Sequence, residues 1–246
     1  MEQNLSKKTR TESDLIGSRE VPESALYGVQ TLRGIENFRI SKFHLNEYPL
    51  FIQALAITKM GAAVANRELD LLTEEQADAI LKACKEILEG KHHDQFPVDM
   101  IQGGAGTTTN MNANEVIANR ALELMGHQRG EYQYCSPNDH VNRSQSTNDA
   151  YPTAIHIGLY YTHLKLVKHF EVLIESFRKK ATEFAHVIKM GRTQLEDAVP
   201  MTLGQTFNGF ASILRHEVKN LDFAAQDFLT VNMGATAIGT GITAEP

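Results

Sequence analysis

The sequence contains no tryptophan, only two cysteines and no long hydrophobic run. Cys84 and Cys135 lie far apart and outside any CxxC spacing, which predicts reduced thiols rather than a disulfide framework. No apolar stretch approaches the roughly 20 residues of a membrane helix, and the opening MEQNLSKKTRTESD lacks the apolar segment of a signal peptide. These absences predict a soluble, cytoplasmic protein.

An excess of positive charge and the common ligand motifs are also absent. The chain has 24 Lys and Arg against 30 Asp and Glu, a net charge of −6, so it carries no general basic footprint for nucleic acid. Its ten histidines include no HExxH, and the side chains of the adjacent His92 and His93 should diverge, so we expect no metal site. What the chain does have is a hydrophobic content of 42%, enough for a folded core.

The pattern of apolar residues predicts helices and no strands. Glycine and proline interrupt residues 1–48, which we expect to be irregular. Helices of ordinary length are predicted over 49–69 and 110–125, and between them a helix that begins at the capping box Thr73–Gln76 and stops at Gly90. Residues 91–108 and 126–142 are predicted loops.

Two long helical stripes follow these shorter helices. Apolar residues recur at steps of three, four or seven from about 149 to 188, and again from 203 to 228. A short connection joins the stripes, so we expect two antiparallel helices whose stripe residues form a core. Such a pair cannot cover its own stripe, and helices from later sequence or other subunits must pack on it. The prediction is an all-α fold, with a mostly helical domain over residues 1–144 and the start of a long-helix bundle over 145–246.

Three polar segments are the candidates for chemistry. GGAGTTTNMN (103–112) joins glycines to a helix start rich in hydroxyl groups, which is typical of an anion site or of an ordinary capped turn. QSTNDAYPT (145–153) has an S-x-x-D capping pattern with more cap residues than one helix needs. GRTQLEDAVPMTLGQ (191–205) is either a site segment or a plain turn between the long helices.

Taken together, these segments resemble the fumarase/aspartase superfamily. The resemblance is carried in order by the segments DLIGSREVPESALYGVQTLRGIENFRIS, DQFPVDMIQGGAGTTTNMNANEVIANRALELMG, NDHVNRSQSTNDAYPT, GRTQLEDAVPMTLGQ and GATAIGTG. The forms GGAGT, GHQRGEYQY, QSTND and DAVP are similar to the aspartate ammonia-lyase branch rather than to the fumarases. That branch implies reversible deamination of L-aspartate to fumarate and ammonia, without a cofactor.

The resemblance also implies roles for individual residues. Thr107, Ser146, Thr147 and Thr193 would surround the substrate β-carboxylate, while Asn148, and less directly Gln194, would contact the amino group. A peripheral anion site of fumarases corresponds to SPNDHVN, where Ser136 replaces the usual histidine, so we expect no such site here.

The resemblance implies that members of the family are longer than these 246 residues. Members add further bundle helices and a C-terminal domain, assemble as homotetramers, and build each active site from three subunits. Their catalytic serine lies in a loop resembling GSSxMPxKxNP, which does not occur in these 246 residues, so the resemblance places the base beyond Pro246. It therefore implies an N-terminal part of a longer enzyme, inactive alone. A fumarate hydratase and a non-catalytic product competent only for assembly are the alternatives.

Overall fold

A computed structural model describes residues 8–245 of the chain. The structure is mostly helical, as predicted, with two small antiparallel strand pairs. It contains two compact units. The first runs to Gly158 and includes the segment from Val231 onward, and the second spans Leu159–Thr230. The predicted domain boundary after residue 144 stays a prediction.

The first unit contains two strands, four complete helices, the first turns of a fifth, and the segment from Val231 onward. The strands are β1 (Thr9–Asp14) and β2 (Gly17–Pro22), and the helices are α1 (Val29–Asn37), α2 (Pro49–Glu68), α3 (Glu74–Leu88), α4 (Thr107–Leu124) and the beginning of α5 (Thr147–Glu183). Short 3-10 turns at Leu45–Glu47 and His93–Gln95 and a π-helical turn at Pro137–Val141 lie between them.

The core of the first unit lies among α2, α3 and α4. It is formed by Leu55, Ile80, Ile87, Val116, Ile117 and Leu122 with their buried neighbours. Local signals set the bounds of two of these helices: Pro49 opens α2, and the Thr73 side chain accepts the Gln76 N–H while Gln76 reciprocates, as predicted for the start of α3. Both buried cysteines are free thiols.

The prediction that residues 1–48 are irregular is wrong for the described part of that segment. Strands β1 and β2 form a hairpin closed by Asp14, which accepts the N–H groups of Ile16 and Gly17. Both strands are mostly polar and exposed, so no apolar alternation marks them in the sequence. Residues 1–7 lie outside the described part.

Helix α1 was also not predicted, because its cap comes from a distant helix. The buried Glu115 carboxylate of α4 accepts the N–H groups of Gly28 at 2.8 Å, Gln30 at 2.8 Å and Thr31 at 3.0 Å. A carboxylate at these positions satisfies the unpaired donors of a helix start and complements its positive end. No residue inside α1 performs this role.

The second unit is a helical hairpin with a small strand pair at its turn. It contains the rest of α5, strands β3 (Ile188–Thr193) and β4 (Glu196–Thr202), and helix α6 (Leu203–Ala225). The helices are antiparallel, as predicted: His163 meets Asp222 at 2.9 Å, and Phe184 near the other end stacks on Phe207. At Gly204 a β-carbon would clash with the Ala181 carbonyl oxygen, so only glycine fits.

Two expectations about the long stripes need correction. The first long helix ends at Glu183, and the connection is a β-hairpin rather than a plain turn. In addition, the stripe residues are not a core within this chain, since Leu159 is 44% and Leu166 is 42% exposed. The apolar faces of α5 and α6 are therefore only partly covered, and the expectation of further helices packing on them stays a prediction.

Across residues 8–245, no helix is long and apolar enough to cross a membrane.

Candidate functional site

The glycine-rich loop leads directly into α4. Helix α4 begins at Thr107, three residues before the predicted start, and Gly106 precedes it with a left-handed φ of 89°. A β-carbon at Gly106 would clash with the Tyr151 ring, so the loop can approach α5 only with glycine there. Thr107 is exposed at the helix start, where backbone N–H groups lack intrahelical partners.

Gln102 caps this helix from outside it. Its Oε1 accepts the Thr109 N–H at 2.8 Å, and its Nε2 donates to Thr109 Oγ1 at 2.8 Å and to the Asp99 carbonyl at 3.0 Å. Sequence reasoning missed Gln102, because a glutamine five residues before a helix is not a recognised cap. These hydrogen bonds fix the conformation of the glycine-rich loop, and Thr107 remains exposed.

The start of α5 shows the predicted S-x-x-D cap. Ser146 Oγ accepts the Asn148 N–H at 3.2 Å, and Asp149 Oδ1 accepts the Ser146 N–H at 2.9 Å. Asp149 is fully buried, whereas Asn148 is exposed. Next to this cap, Thr147 Oγ1 accepts a hydrogen bond of 3.2 Å from Asn110 Nδ2 of α4. The first two predicted segments therefore meet through Asn110 and Thr147.

Beneath this contact lies a buried lysine that sequence reasoning did not select. Lys59 of α2 has no exposed surface, and its Nζ donates to Asn110 Oδ1 at 2.8 Å, Asn142 Oδ1 at 2.9 Å and Gln145 Oε1 at 2.9 Å. Burial lowers the pKa of Lys59 to about 7, and the charge of Asp149 opposes that shift. All three direct partners are neutral amides, so no carboxylate neutralises the ammonium group in contact.

A fourth segment packs against the α5 start. Asn148 Nδ2 donates to the Ala237 carbonyl at 2.8 Å, Asn232 Nδ2 donates to the Asn148 carbonyl at 3.1 Å, and the Thr236 N–H donates to Asp149 Oδ2 at 2.8 Å. In the sequence, GATAIGTG (234–241) carries part of the resemblance but indicates no contact with the α5 start. The structure instead uses it to orient Asn148, one of the predicted substrate contacts.

The third predicted segment belongs to the second unit. Thr193 ends β3, and Gln194 with Leu195 forms the two-residue turn to β4, with left-handed φ values of 50° and 67°. Thr193 and Gln194 are exposed at this turn. Their roles, like those of Thr107, Ser146, Thr147 and Asn148, stay predictions.

The catalytic base is expected outside the residues that form these segments. No segment resembling GSSxMPxKxNP, which carries that serine in the family, occurs in the 246 residues. The position of the base therefore stays a prediction. The predicted site residues within the chain are substrate-binding groups only.

An open cavity of about 680 Å³ lies beside the glycine loop in the first unit. It is lined by Met100, Ile101, Gln102, Gly104, Ala105, Gly106, Asn148, Tyr151, Pro152 and Ile155. Of the predicted site residues, Asn148 alone contributes to this lining, and the other lining groups are mostly apolar or glycine backbone.

In the segment SPNDHVN, where fumarases have a peripheral anion site, two backbone N–H donors are already hydrogen-bonded to Ser136. Ser136 Oγ accepts the N–H groups of Asn138 at 3.2 Å and Asp139 at 3.1 Å. An anion at this turn would have to displace that hydroxyl, which agrees with a structural role for Asn138 and Asp139. Within residues 8–245, no group of three or more His, Cys, Asp or Glu side chains gathers as metal ligands would.

Comparison with known proteins gives a consistent set of relatives. The sequence model of the family described as Lyase matches residues 17–246. The aspartate ammonia-lyase of Escherichia coli strain K12 is 56% identical over 239 residues, covering 97% of this chain and 50% of that protein. The chain thus spans about half the length of the curated relatives it matches.

Solved structures agree with the sequence relatives. The fumarate lyase:delta crystallin from Brucella melitensis has a TM-score of 0.92 at 52% identity, covering 97% of this chain and 52% of that one. The class II fumarase from Schistosoma mansoni has a TM-score of 0.88 at 36% identity, covering 97% and 50%.

Proposed function

The chain belongs to the lyase family, and from that membership we propose that it supplies the carboxylate-binding part of an enzyme converting L-aspartate into fumarate and ammonia. The observation that carries the proposal is the meeting of two polar helix starts, in which Asn110 of α4 donates to Thr147 at the start of α5. Two helix starts side by side concentrate N–H and hydroxyl donors where a carboxylate would bind.

The proposed chemistry is removal of a proton from the carbon next to the β-carboxylate. The electron pair left on that carbon moves into the carboxylate and forms an aci-carboxylate. It then returns as the C–N bond breaks and ammonia leaves with the bonding pair. Because negative charge grows on the carboxylate oxygens, preorganised donors there accelerate the step, each contributing roughly 3–4 kcal/mol in comparable sites.

The proposed roles follow the family's motifs. Thr107, Ser146, Thr147 and Thr193 donate to the β-carboxylate, and Asn148 with Gln194 faces the amino group. All are neutral groups, which suits charge that develops only in the transition state. The side chain of Asn148 is already held by Ala237, so its orientation is set before substrate arrives. We propose no cofactor for this reaction.

The base is proposed to come from outside this chain. No segment like GSSxMPxKxNP occurs in the 246 residues, and the exposed apolar faces of α5 and α6 are suited to helices of other subunits in a homotetramer. We therefore propose that the chain alone does not turn over aspartate and acts in the cytoplasm as part of a larger assembly.

A fumarate hydratase is the second candidate, because the class II fumarase from Schistosoma mansoni shares this architecture. The identities favour the ammonia-lyase, at 56% with the E. coli relative against 36% with that fumarase. A third candidate is a non-catalytic product competent only for assembly.

A reconstitution experiment separates these candidates. The chain is produced alone, and also together with the remaining half of the E. coli relative, and fumarate absorbance is followed with L-aspartate and with L-malate. We expect fumarate from aspartate only in the combined preparation. Thr147→Val should reduce that rate by about 100-fold or more if Thr147 is a direct donor, whereas the exposed Asn138→Asp should leave it unchanged.

Two results would contradict the proposal. Turnover of malate alone would establish the hydratase. A stable co-assembly that converts neither substrate would support the non-catalytic alternative.

A further inference from the structure

We propose that Lys59 is a positioning residue for the carboxylate site, which orients Asn110 so that Thr147 is left as a hydrogen-bond donor to the substrate. The inference rests on the proposed function, since it assigns a purpose to Thr147. It concerns a residue on α2 that is fully buried and carries none of the proposed substrate contacts.

The direction of each hydrogen bond follows from the ammonium group. Lys59 Nζ has only donors, so Asn110 must turn its Oδ1 toward Lys59, at 2.8 Å. The Asn110 Nδ2 then points the other way and donates to Asn142 Oδ1 at 3.1 Å and to Thr147 Oγ1 at 3.2 Å. Without Lys59, the orientation of the Asn110 amide would rest on its two longer Nδ2 hydrogen bonds alone.

The orientation of the Asn110 amide in turn fixes the hydrogen-bond direction of the Thr147 hydroxyl. Because Thr147 Oγ1 accepts the Asn110 N–H, its own hydrogen cannot point to Asn110 and is available to an acceptor elsewhere. A substrate carboxylate accepts such a hydrogen. Through the Asn110 amide, Lys59 therefore makes the Thr147 hydroxyl an acceptor toward Asn110 and leaves its hydrogen free to donate to substrate.

The other two amide groups that contact Lys59, those of Asn142 and Gln145, are oriented in the same way. Asn142 Oδ1 accepts from Lys59, from Asn110 and from Asn114 Nδ2 at 3.1 Å. Gln145 turns its Oε1 to Lys59 and donates its Nε2 to the Val141 carbonyl at 2.9 Å. Each amide oxygen of Asn110, Asn142 and Gln145 thus faces the ammonium group.

The cluster requires the charged form of Lys59. Three acceptors lie within 2.9 Å of Nζ, and only an ammonium group has three hydrogens to satisfy them. Burying a charge among neutral amides is costly, and apolar packing would be the cheaper way to fill this position. The negative charge of the nearby Asp149 favours the ammonium form of Lys59.

Asn110→Asp is the most informative variant. The new carboxylate still accepts from Lys59, so the core keeps a partner for its ammonium group. Its second oxygen, however, replaces the amide donor, and Thr147 must now turn its own hydrogen toward it. The hydroxyl is then no longer available to substrate. Asn138→Asp, at an exposed position, adds the same charge and serves as the matched control.

The first measurement uses the chain itself and needs no activity. In 15N-lysine-labelled chain, we expect one slowly exchanging ammonium signal in 1H–15N spectra, lost in Lys59→Met and shifted by Asn110→Asp but not by Asn138→Asp. Absence of a protected ammonium signal in the parent chain, or no response to Asn110→Asp, would overturn the inference. If Lys59→Met does not fold, the Asn110→Asp shift still assigns the signal.

The second measurement uses the preparation reconstituted with the other half of the E. coli relative. We expect Asn110→Asp to lower kcat by at least about tenfold with little change in KM, because the donor matters most as charge grows. Asn110→Asp also removes the hydrogen bond to Asn142, so we expect a lower thermal unfolding temperature, and the split between kcat and KM carries the inference. Unchanged kcat would overturn the inference. An inactive parent preparation would instead count against the proposed function, whereas a failed response in the lysine spectra would count against the contact between Lys59 and Asn110.

Discussion

At the scale of single residues, the site depends on positions where only one side chain fits. Gly106 is such a position, because its left-handed backbone and the Tyr151 ring both exclude a β-carbon. Glu86 contributes differently, by joining α3 to α4 through two hydrogen bonds from Arg120, of 2.6 and 2.8 Å. Each supports a quantitative prediction.

Replacing Gly106 with alanine should destabilise the glycine loop. The added methyl group clashes with the Tyr151 ring, and a left-handed φ costs roughly 1–2 kcal/mol for alanine. We expect the free energy of unfolding of the chain to fall by about 2–4 kcal/mol in urea titration. Gly90→Ala is a matched control, because its φ is also positive but no atom lies within 4 Å. Equal losses in the two variants would show that the Tyr151 contact is unimportant.

The ion pair of Glu86 should make stability depend on acid pH. Hydrogen bonding from Arg120 lowers the pKa of Glu86 from 4.5 to about 2. A lowered folded-state pKa stabilises the fold above the unfolded value, and this contribution disappears as pH falls from about 4.5 to 2. Glu86→Gln should therefore cost about 1–3 kcal/mol at pH 7 and nearly nothing near pH 2.

Denaturant titrations at several pH values check this expectation. Glu89→Gln provides the control, because Glu89 pairs with Lys91 on the surface and should change stability little at any pH. A cost for Glu86→Gln that stays constant down to pH 2 would contradict the assignment.

At the scale of secondary-structure elements, the two hairpins have different turns. The β1–β2 turn has a glycine and an aspartate cap, Gly17 and Asp14. The β3–β4 turn instead places Gln194 and Leu195 in left-handed backbone conformations usually filled by Asn-Gly. Leu195 is 97% exposed, so no packing compensates for this conformation. Strain of this kind is often found beside functional residues.

Leu195→Gly should stabilise the hairpin. Glycine removes the cost of the left-handed conformation but adds freedom to the unfolded chain, for a net gain of about 0.5–1 kcal/mol. Thermal unfolding of the purified chain would measure it. Met201→Gly in β4, at a position paired in register with Lys189, should instead lose stability. A loss in both variants would show that the turn is not strained.

At the scale of the whole molecule, the apolar faces of the second unit are the main unexplained surface. Val172 is 68%, Ile213 is 61% and Phe223 is 83% exposed. Exposed apolar area of this kind on two helices is typical of an association surface.

The chain should therefore self-associate. Sedimentation velocity at micromolar concentration should show species heavier than the 27.4 kDa monomer. Lys substitutions at Ile213 and Phe223 should shift the distribution toward monomer, whereas a Lys at the exposed Leu15 of the β1–β2 turn should not. A parent chain that sediments only as monomer would contradict this prediction.

Several helices of this fold could be predicted from residues close together in the sequence. Helices α2 and α3 were predicted to within about two residues, because apolar period and caps lie inside or beside each helix. The S-x-x-D cap of Ser146 and Asp149 was confirmed for the same reason. Family membership was also readable, since several motifs occur in fixed order.

The elements that were missed have no local signature. The first hairpin is polar on both faces, and helix α1 takes its cap from Glu115, whose bond to Gly28 spans 87 residues. Similarly, the docking of the 232–237 segment on Asn148 joins residues 89 apart. Pairing at such distances is decided by packing, which no window of sequence contains.

The sequence by itself therefore determined helices α2 and α3, the cap formed by Ser146 and Asp149, and the candidate donors Thr107, Ser146 and Thr147, because each depends on neighbours along the chain. Only the tertiary structure decided that Lys59 lies beneath them, bonded to Asn142 83 residues away. A lysine in a helical pattern is ordinarily a surface residue, and its burial depends on amides brought from α4 and the α5 start. The directions of the hydrogen bonds in the candidate site are thus set by the folded molecule.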